Sequence, residues 1–387
     1  MLRLIFVTGS LGHGGAERHA ITLANRLAER GHECHAIFVK REDSQRGRIR
    51  LRDGGTVRCL DAAWYLDPRA VADLAGQLRR LQPSAIVAAN PYALLYCWLA
   101  LRLARLRVPL VVTYHSTRLL TVKERLQMAV YRPLLWTAEC LVFVCETQKR
   151  HWLQRGVFAR RNEVIYNGVD VDEFCGEWNA EARENLRYAL GFADSDYVIG
   201  SAAVLRPEKN HVQLVDAIAL LRDKGVAARA LMIGDGPMRG VVEARARRCG
   251  VERYVTITGF QGEVRPYIAA CDAMALCSLT EALPLAAVEA MALCKPVVHS
   301  DVGGAAELIC PGESGFLFPV GDTQAFVEKL SILADRSMAA RMGDRARRAI
   351  EAFFSERAMV DRYERLLLEV CRGRPGVAAA GRGVRTA

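Results

Sequence analysis

The sequence lacks a hydrophobic run of the roughly 18 residues that a membrane-spanning helix needs. "YALLYCWLALRLARL", residues 92–106, comes closest, and Arg102 and Arg105 cut it short. No Cys-x-x-Cys pair occurs among twelve cysteines. Most lie in apolar stretches such as "ECLVFVCE" and "CDAMALCS", so they are expected to be small buried hydrophobes in a reducing compartment. "GHECHAIF", with His32, Cys34 and His35, is the densest His/Cys group. It falls at an expected helix-to-strand junction and is read as structural, so no metal site is assigned. The chain opens on strand-like "LRLIFVTG" without an apolar leader and a small-residue cleavage site, so no secretory signal is expected. Neither glycine-rich loop spells G-x-G-x-x-G, and no Walker lysine follows one, which argues against a dinucleotide or P-loop site. A long basic tail is missing too: the net charge of +10 is spread along the chain. That balance suits an acidic partner without choosing among phosphorylated substrate, anionic lipid and nucleic acid.

What is present suits two globular domains: 387 residues, 51% hydrophobic and 25% charged. Strand-like segments alternate with amphipathic helical stretches, such as "AERHAITLANRLAERG" ending at Gly31. The rhythm breaks at an irregular stretch around 173–195 and then resumes. It predicts an α/β chain of two doubly wound, Rossmann-like domains facing across a cleft. The expected parts are 1–180, 181–350, a C-terminal helix over 351–371 crossing back to the first domain, and a flexible tail over 372–387.

Ligands of such sheets sit beyond the C-terminal strand ends, so the residues there matter most. After the first strand, "GSLGHGGAER" brings Gly14 and Gly15 to a strand-to-helix loop. His115 follows "PLVVTY". In the second half, "LRPEKNH" offers Arg206 and Lys209, a guanidinium fork and a point charge suited to a diphosphate. "IGDGPMRG" supplies Gly234. In "TEALPLAAVEAMA", Pro284 marks a helix start. Glu281 then lies in the preceding loop and Glu289 in the second turn. Unpaired N–H groups at that start can seat a phosphate, while the carboxylates accept hydrogen bonds from sugar or ribose hydroxyls. "DVGGAAELI" repeats the glycine-then-carboxylate arrangement with Gly303, Gly304 and Glu307. Each feature alone has an ordinary structural explanation: a tight turn, a satisfied histidine, a glutamate that snorkels out.

Taken in order from residue 3 to about 370, these segments resemble the retaining GT-B glycosyltransferases of glycosyltransferase family 4. "VIYNGVD" and "GFLFPVGD" add to the match. Glu281 and Glu289 are similar to that family's E-x7-E pair. The resemblance implies that Glu281 lies by the donor sugar and Glu289 by the ribose. It also implies that Ala282, Leu283, Pro284, Leu285 and Gly234 line the donor, that His115 stands near the transferred sugar, and that Gly14 and Gly15 cover the donor phosphates. One departure stands out: Val204 holds the position where the family commonly has arginine, and the nearest guanidinium is Arg206.

The implied reaction moves a sugar from a nucleotide-diphosphate donor to an acceptor hydroxyl with retention. It uses no cofactor and no metal, since the "DVD" at 170–172 and "DSD" at 194–196 are read as accidental. Glycan or lipid-linked acceptors in polysaccharide or glycolipid assembly are expected, and nucleic acid is not. The chain is expected in the cytoplasm, with the inner membrane face as a peripheral station. "LLYCWLALRL" with Arg102, Arg105 and Arg107 is the candidate anionic-membrane contact, and a buried helix with a charged end explains the same residues. Three other classes stay open: an epimerase-like sugar-nucleotide enzyme, a nicotinamide-dependent oxidoreductase, and a non-catalytic sugar- or lipid-binding protein.

Overall fold

The computed structural model describes residues 1–12, 14–52, 54–115, 122–174 and 180–372. Residues 373–387 of the expected tail lie outside them. The chain forms two compact units. One is Met1–Ile165 joined by the segment from Met359, and the other is Tyr166–Ala358.

Among the described residues, the first unit holds seven parallel strands: β1 (Arg3–Thr8), β2 (Glu33–Phe38), β3 (Val57–Cys59), β4 (Ala85–Ala89), β5 (Leu110–Tyr114), β6 (Cys140–Phe143) and β7 (Arg161–Val164). Their order is β3-β2-β1-β4-β5-β6-β7. The turn from leftward to rightward growth at β1 and β4 is the switch point of a doubly wound sheet. Strand alternation sorts the side chains. Ile5, Val7, Ile86 and Val112 join one core, while Leu4, Phe6, Val87 and Val111 join the other. The second core is closed by the Gly15–Glu29 helix and by Val360, Tyr363 and Leu367 of the Glu356–Cys371 helix. Burying each such side chain stabilises the fold by roughly 1.5–3 kcal/mol.

The second unit has six parallel strands among its described residues: β8 (Tyr197–Ala202), β9 (Ala228–Ile233), β10 (Val255–Ile257), β11 (Ala273–Leu276), β12 (Val297–Ser300) and β13 (Gly315–Phe318). The order β10-β9-β8-β11-β12-β13 repeats the logic of the first sheet. Register pairs Leu276 with His299, so the loops after β11 and β12 leave the sheet side by side.

Residues 166–174 group with the second unit, although the sequence reading ran the first domain to 180. Buried Arg347 explains this, donating to the carbonyls of Val171 (2.8 Å) and Phe174 (3.0 Å) and to that of Ala292. The expected 351–371 helix is also two pieces. The Arg336–Phe353 helix ends, Ser355 bridges Val169, and a new helix starts at Glu356.

Of the two readings of "LLYCWLALRL", the buried one accounts for most of the Asn90–Ala104 helix: Tyr96, Cys97, Ala100 and Leu101 are buried, and Arg102 covers the Trp98 ring at 4.4 Å, while Leu103 is exposed. Among the described residues Cys34, Cys97, Cys140, Cys145, Cys271, Cys277 and Cys371 are buried as expected, whereas Cys294 and Cys310 are exposed. His32 is held between the Leu2 N–H (3.1 Å) and Glu364 (2.9 Å), and His35 bonds Thr56 at 3.0 Å, so both serve the fold. Among the described residues no helix is long and apolar enough to cross a membrane.

Candidate active site

The polar residues after β8, β11 and β12 are drawn together in the second unit. After β8 the chain passes Val204 and Arg206, makes a short 3-10 turn over Pro207–Lys209, and enters the His211–Asp223 helix through Asn210 at φ 50°. The loop is pinned from the β9 side by Leu205 N–H donating to Asp235 O at 2.9 Å. Gly234, at φ 149°, permits this approach, since a Cβ there would stand 2.1 Å from the Ala203 carbonyl oxygen. That strained geometry suits glycine and little else.

The loop therefore presents Lys209 at a fixed place. Its ammonium donates to Glu281 Oε1. The same oxygen accepts the Ser278 hydroxyl at 2.8 Å, and among the described residues Oε2 takes no hydrogen bond. Leu279 N–H donates to Glu208 O at 2.8 Å, tying the 278–281 turn to the 3-10 turn. Behind it, Ser300 Oγ donates to Ser278 O at 2.6 Å. On the far side Gly304 N–H donates to Ala282 O at 2.7 Å. Gly303, at φ 57°, lets this loop lie against the Glu281 backbone, where a Cβ would come within 2.1 Å of the Glu281 carbonyl oxygen.

Side-chain exposure is 25% for Lys209 and 13% for Glu281. An ion pair so far out of water gains little net stability over apolar residues. Its placement among strand-end loops points to ligand handling instead.

The helix Leu285–Ala292 starts at Pro284, which caps it with an extended backbone. Ala287 and Val288 N–H groups return to Pro284 O, so the N–H groups of Leu285 and Ala286 precede the first intrahelical bonds. Glu289 is 6% exposed on this helix, so it does not snorkel to solvent, and Ala282 and Leu283 are buried as well. Glu307 accepts the Tyr166 hydroxyl at 3.0 Å. Arg206 stands apart from this group. Its side chain is 57% exposed and lies 4.0 Å from Glu208.

His115, Gly14 and Gly15 belong to the first unit. Gly14 caps the Gly15–Glu29 helix, with its carbonyl accepting Arg18 N–H at 3.1 Å. His115 follows β5, its backbone N–H donating to Asn90 Oδ1 at 3.3 Å. Its ring meets His19 edge-on at 4.9 Å, and His19 meets Tyr363 at 5.3 Å. Burial pushes the pKa of His19 down to about 4; burial and then His19 hold that of His115 well below the ordinary value.

Sequence reasoning missed Ser278, His299 and Ser300. His299 is fully buried at the end of β12, with Nδ1–H donating to Ser300 O at 2.6 Å. Burial lowers its pKa, and the Glu281 charge partly opposes that shift. All three stand at strand ends, the rule that selected His115. Two of the aspartates in the Asp-x-Asp matches make local contacts. Asp170 caps the turn at Asp172 and Glu173, and Asp196 pairs with Arg229 at 2.7 Å.

The model of the family described as Glycosyl transferases group 1 matches residues 182–349, and that described as Glycosyltransferase Family 4 matches residues 13–173. The 2-deoxystreptamine glucosyltransferase of Streptomyces kanamyceticus is 30% identical over 277 residues, 68% of this chain and 70% of its own length. EpsD of Bacillus subtilis is 29% identical over 225 residues, which covers 57% of this chain and 58% of EpsD. Among solved structures, Anabaena HepE in complex with UDP-glucose superposes with a TM-score of 0.81 at 24% identity, covering 95% of this chain and 100% of that one. The architecture is that of the GT-B fold.

Proposed function

The chain belongs to the group 1 and family 4 glycosyltransferases, and from that premise we propose that it transfers a sugar from a nucleotide-diphosphate donor with retention of configuration. The observation that carries this reading is the Lys209 ammonium on Glu281 Oε1, beside the start of the Leu285–Ala292 helix. A cation and free N–H groups suit the diphosphate, and the open Oε2 of Glu281 suits a sugar hydroxyl. Glu281 and Glu289 then act as the E-x7-E pair, Glu289 accepting from the ribose. The neighbouring HepE structure holds UDP-glucose, which favours a donor of this class here.

In the reaction, the bond between the sugar's anomeric carbon and the diphosphate oxygen breaks. The acceptor oxygen bonds that carbon on the same face, and the departing phosphate oxygen takes the acceptor's proton. Lys209 and the helix start stabilise the growing negative charge, Arg206 reaches toward the same diphosphate, and Glu281 orients the sugar. With these groups present the reaction requires no metal or other cofactor. The second unit binds the donor. The first receives a glycan or lipid-linked acceptor in polysaccharide or glycolipid assembly at the cytoplasmic side, with His115 by the transferred sugar and Gly14 and Gly15 over the donor phosphates. The test is product analysis by NMR with EDTA present: an α-linked donor should give an α-linked product. An inverted product, or activity restored only by manganese, contradicts the reading.

A further inference from the structure

The loop that follows β3 in the first unit holds two aromatic rings in solvent. Trp64 is 71% exposed and Tyr65 43%. Hydrogen bonds fix the loop on both sides of them. Ala62 N–H donates to Val39 O at 2.9 Å, which ties the loop to the end of β2. Asp67 caps the Pro68–Leu81 helix, its carboxylate accepting the N–H groups of Ala63 (3.1 Å) and Arg69 (2.9 Å). The buried Tyr96 hydroxyl accepts Asp67 N–H at 2.9 Å and donates to Tyr65 O at 3.2 Å. The Tyr65 hydroxyl in turn meets that of Tyr131. Ring surface fixed in water gains none of the free energy of burial, so its rigid presentation suits a ligand.

Sheet order gives the loop its neighbours. Tyr65 packs against Tyr92, which follows β4, with ring centroids 4.9 Å apart. A Cβ on Gly9, at the end of β1, would stand 3.2 Å from the Tyr92 ring. Lys40, just after β2, brings its ammonium to 5.6 Å from the centre of that ring. His115 follows β5 and is tied to Asn90, two residues before Tyr92. The order β3-β2-β1-β4-β5 therefore sets these groups in a row at the C-terminal strand ends, from Trp64 to His115. Four strand spacings make the row roughly 19 Å long, more than a single sugar ring spans.

A pyranose has a face of C–H bonds and a rim of hydroxyls. The face suits an aromatic ring, and the hydroxyls need donors and acceptors at its edge. Exposed Lys40 and Asp61 supply both kinds of group around the loop. We propose that Trp64 and Tyr65 form a stacking subsite for a sugar of the acceptor remote from its reacting hydroxyl, so that the acceptor is an oligosaccharide chain. This subsite rests on the first unit being the acceptor side, and it specifies what that side takes. An anionic bilayer is a poorer occupant, because its surface potential would repel Asp61 beside the loop.

The test is saturation-transfer difference NMR on the full chain with maltotetraose, cellotetraose and chitotetraose. At least one tetrasaccharide should bind, with saturation strongest at its ring C–H protons. Trp64→Ala should weaken that binding about tenfold, and Trp64→Phe should restore most of it, because an aromatic face is what stacks. Tyr188→Ala, an exposed site in the second unit, should bind as the parent does. Thermal shifts with UDP-, GDP- and ADP-sugars on the same samples report the donor site separately. A parent that responds to a nucleotide sugar but to no tetrasaccharide overturns the subsite and leaves the transfer reading intact. One that responds to neither overturns both. Equal binding by the parent and Trp64→Ala also overturns the subsite, as does a monosaccharide that competes as well as the tetrasaccharide. So does Trp64-dependent sedimentation with phosphatidylglycerol vesicles in place of saccharide binding.

Discussion

Lys209 and Ser278 converge on a single oxygen, Oε1 of Glu281, one by its ammonium and the other by its hydroxyl at 2.8 Å. A diphosphate that takes Lys209 must therefore compete with Glu281 for it. The two residues should respond differently to neutralisation. Glu281→Gln frees the ammonium, so nucleoside diphosphate should bind as tightly as before or tighter. Turnover should nevertheless fall about 10²–10³-fold, the scale for a lost transition-state contact. Lys209→Met should lose both. Calorimetry with nucleoside diphosphate, beside initial rates, separates them, and equal loss of affinity in both variants would sink the competition.

Arg206 is exposed and lies 4.0 Å from Glu208 in a weak contact, so removing it costs the fold little. Arg206→Ala should leave the melting temperature alone and weaken donor binding about threefold to tenfold, as expected for a charge-assisted contact made only with ligand. If donor affinity and turnover both stay at parent values, a shifted guanidinium does not replace the arginine expected at Val204.

Gly303 tests the loop packing. Its φ is 57°, and a methyl group there would lie 2.1 Å from the Glu281 carbonyl oxygen, so an alanine is both strained and clashing. Gly303→Ala should cost roughly 1–3 kcal/mol. It should also erase the thermal shift given by donor, because Glu281 moves with its backbone. Parent-like melting with a parent-like donor shift contradicts the geometry.

Acid should weaken the fold before it protonates His19 or His211. Burial holds His19 and His211 down at about 4, with Lys209 adding to the effect at His211. In the unfolded chain both return to roughly 6.5. Above that pH both states are neutral and the histidines contribute no slope. Between 6.5 and 4 the unfolded chain takes up protons that the fold refuses, so stability falls as pH falls. Each histidine contributes up to about 1.4 kcal/mol per pH unit. Urea midpoints across that window should decline, and His19→Phe should flatten the decline by one histidine's share. An unchanged slope places His19 in contact with water.

Much of this was legible in the residues. Parallel-sheet rhythm follows from apolar strands alternating with amphipathic helices, and Pro284 fixed the helix start to within one residue. Glu281 and Lys209 could be picked because strand ends face ligand. Their direct pairing could not be foreseen, since it depends on Gly234 and Gly303 letting two loops approach. Ser278 and His299 were hidden because serine and histidine at a strand end carry no spacing signature. The break at Ser355 has no glycine or proline to announce it. Hydropathy marked Asn90–Ala104 because most of that helix is buried.

The most direct test of the central claim is a thermal-shift panel of UDP-, GDP- and ADP-sugars in EDTA, run on the parent chain and on Lys209→Met. At least one nucleotide sugar should raise the parent's melting temperature and leave that of Lys209→Met unmoved. If every nucleotide sugar fails with the parent, or the same one stabilises both proteins equally, Lys209 and Glu281 do not form a donor site.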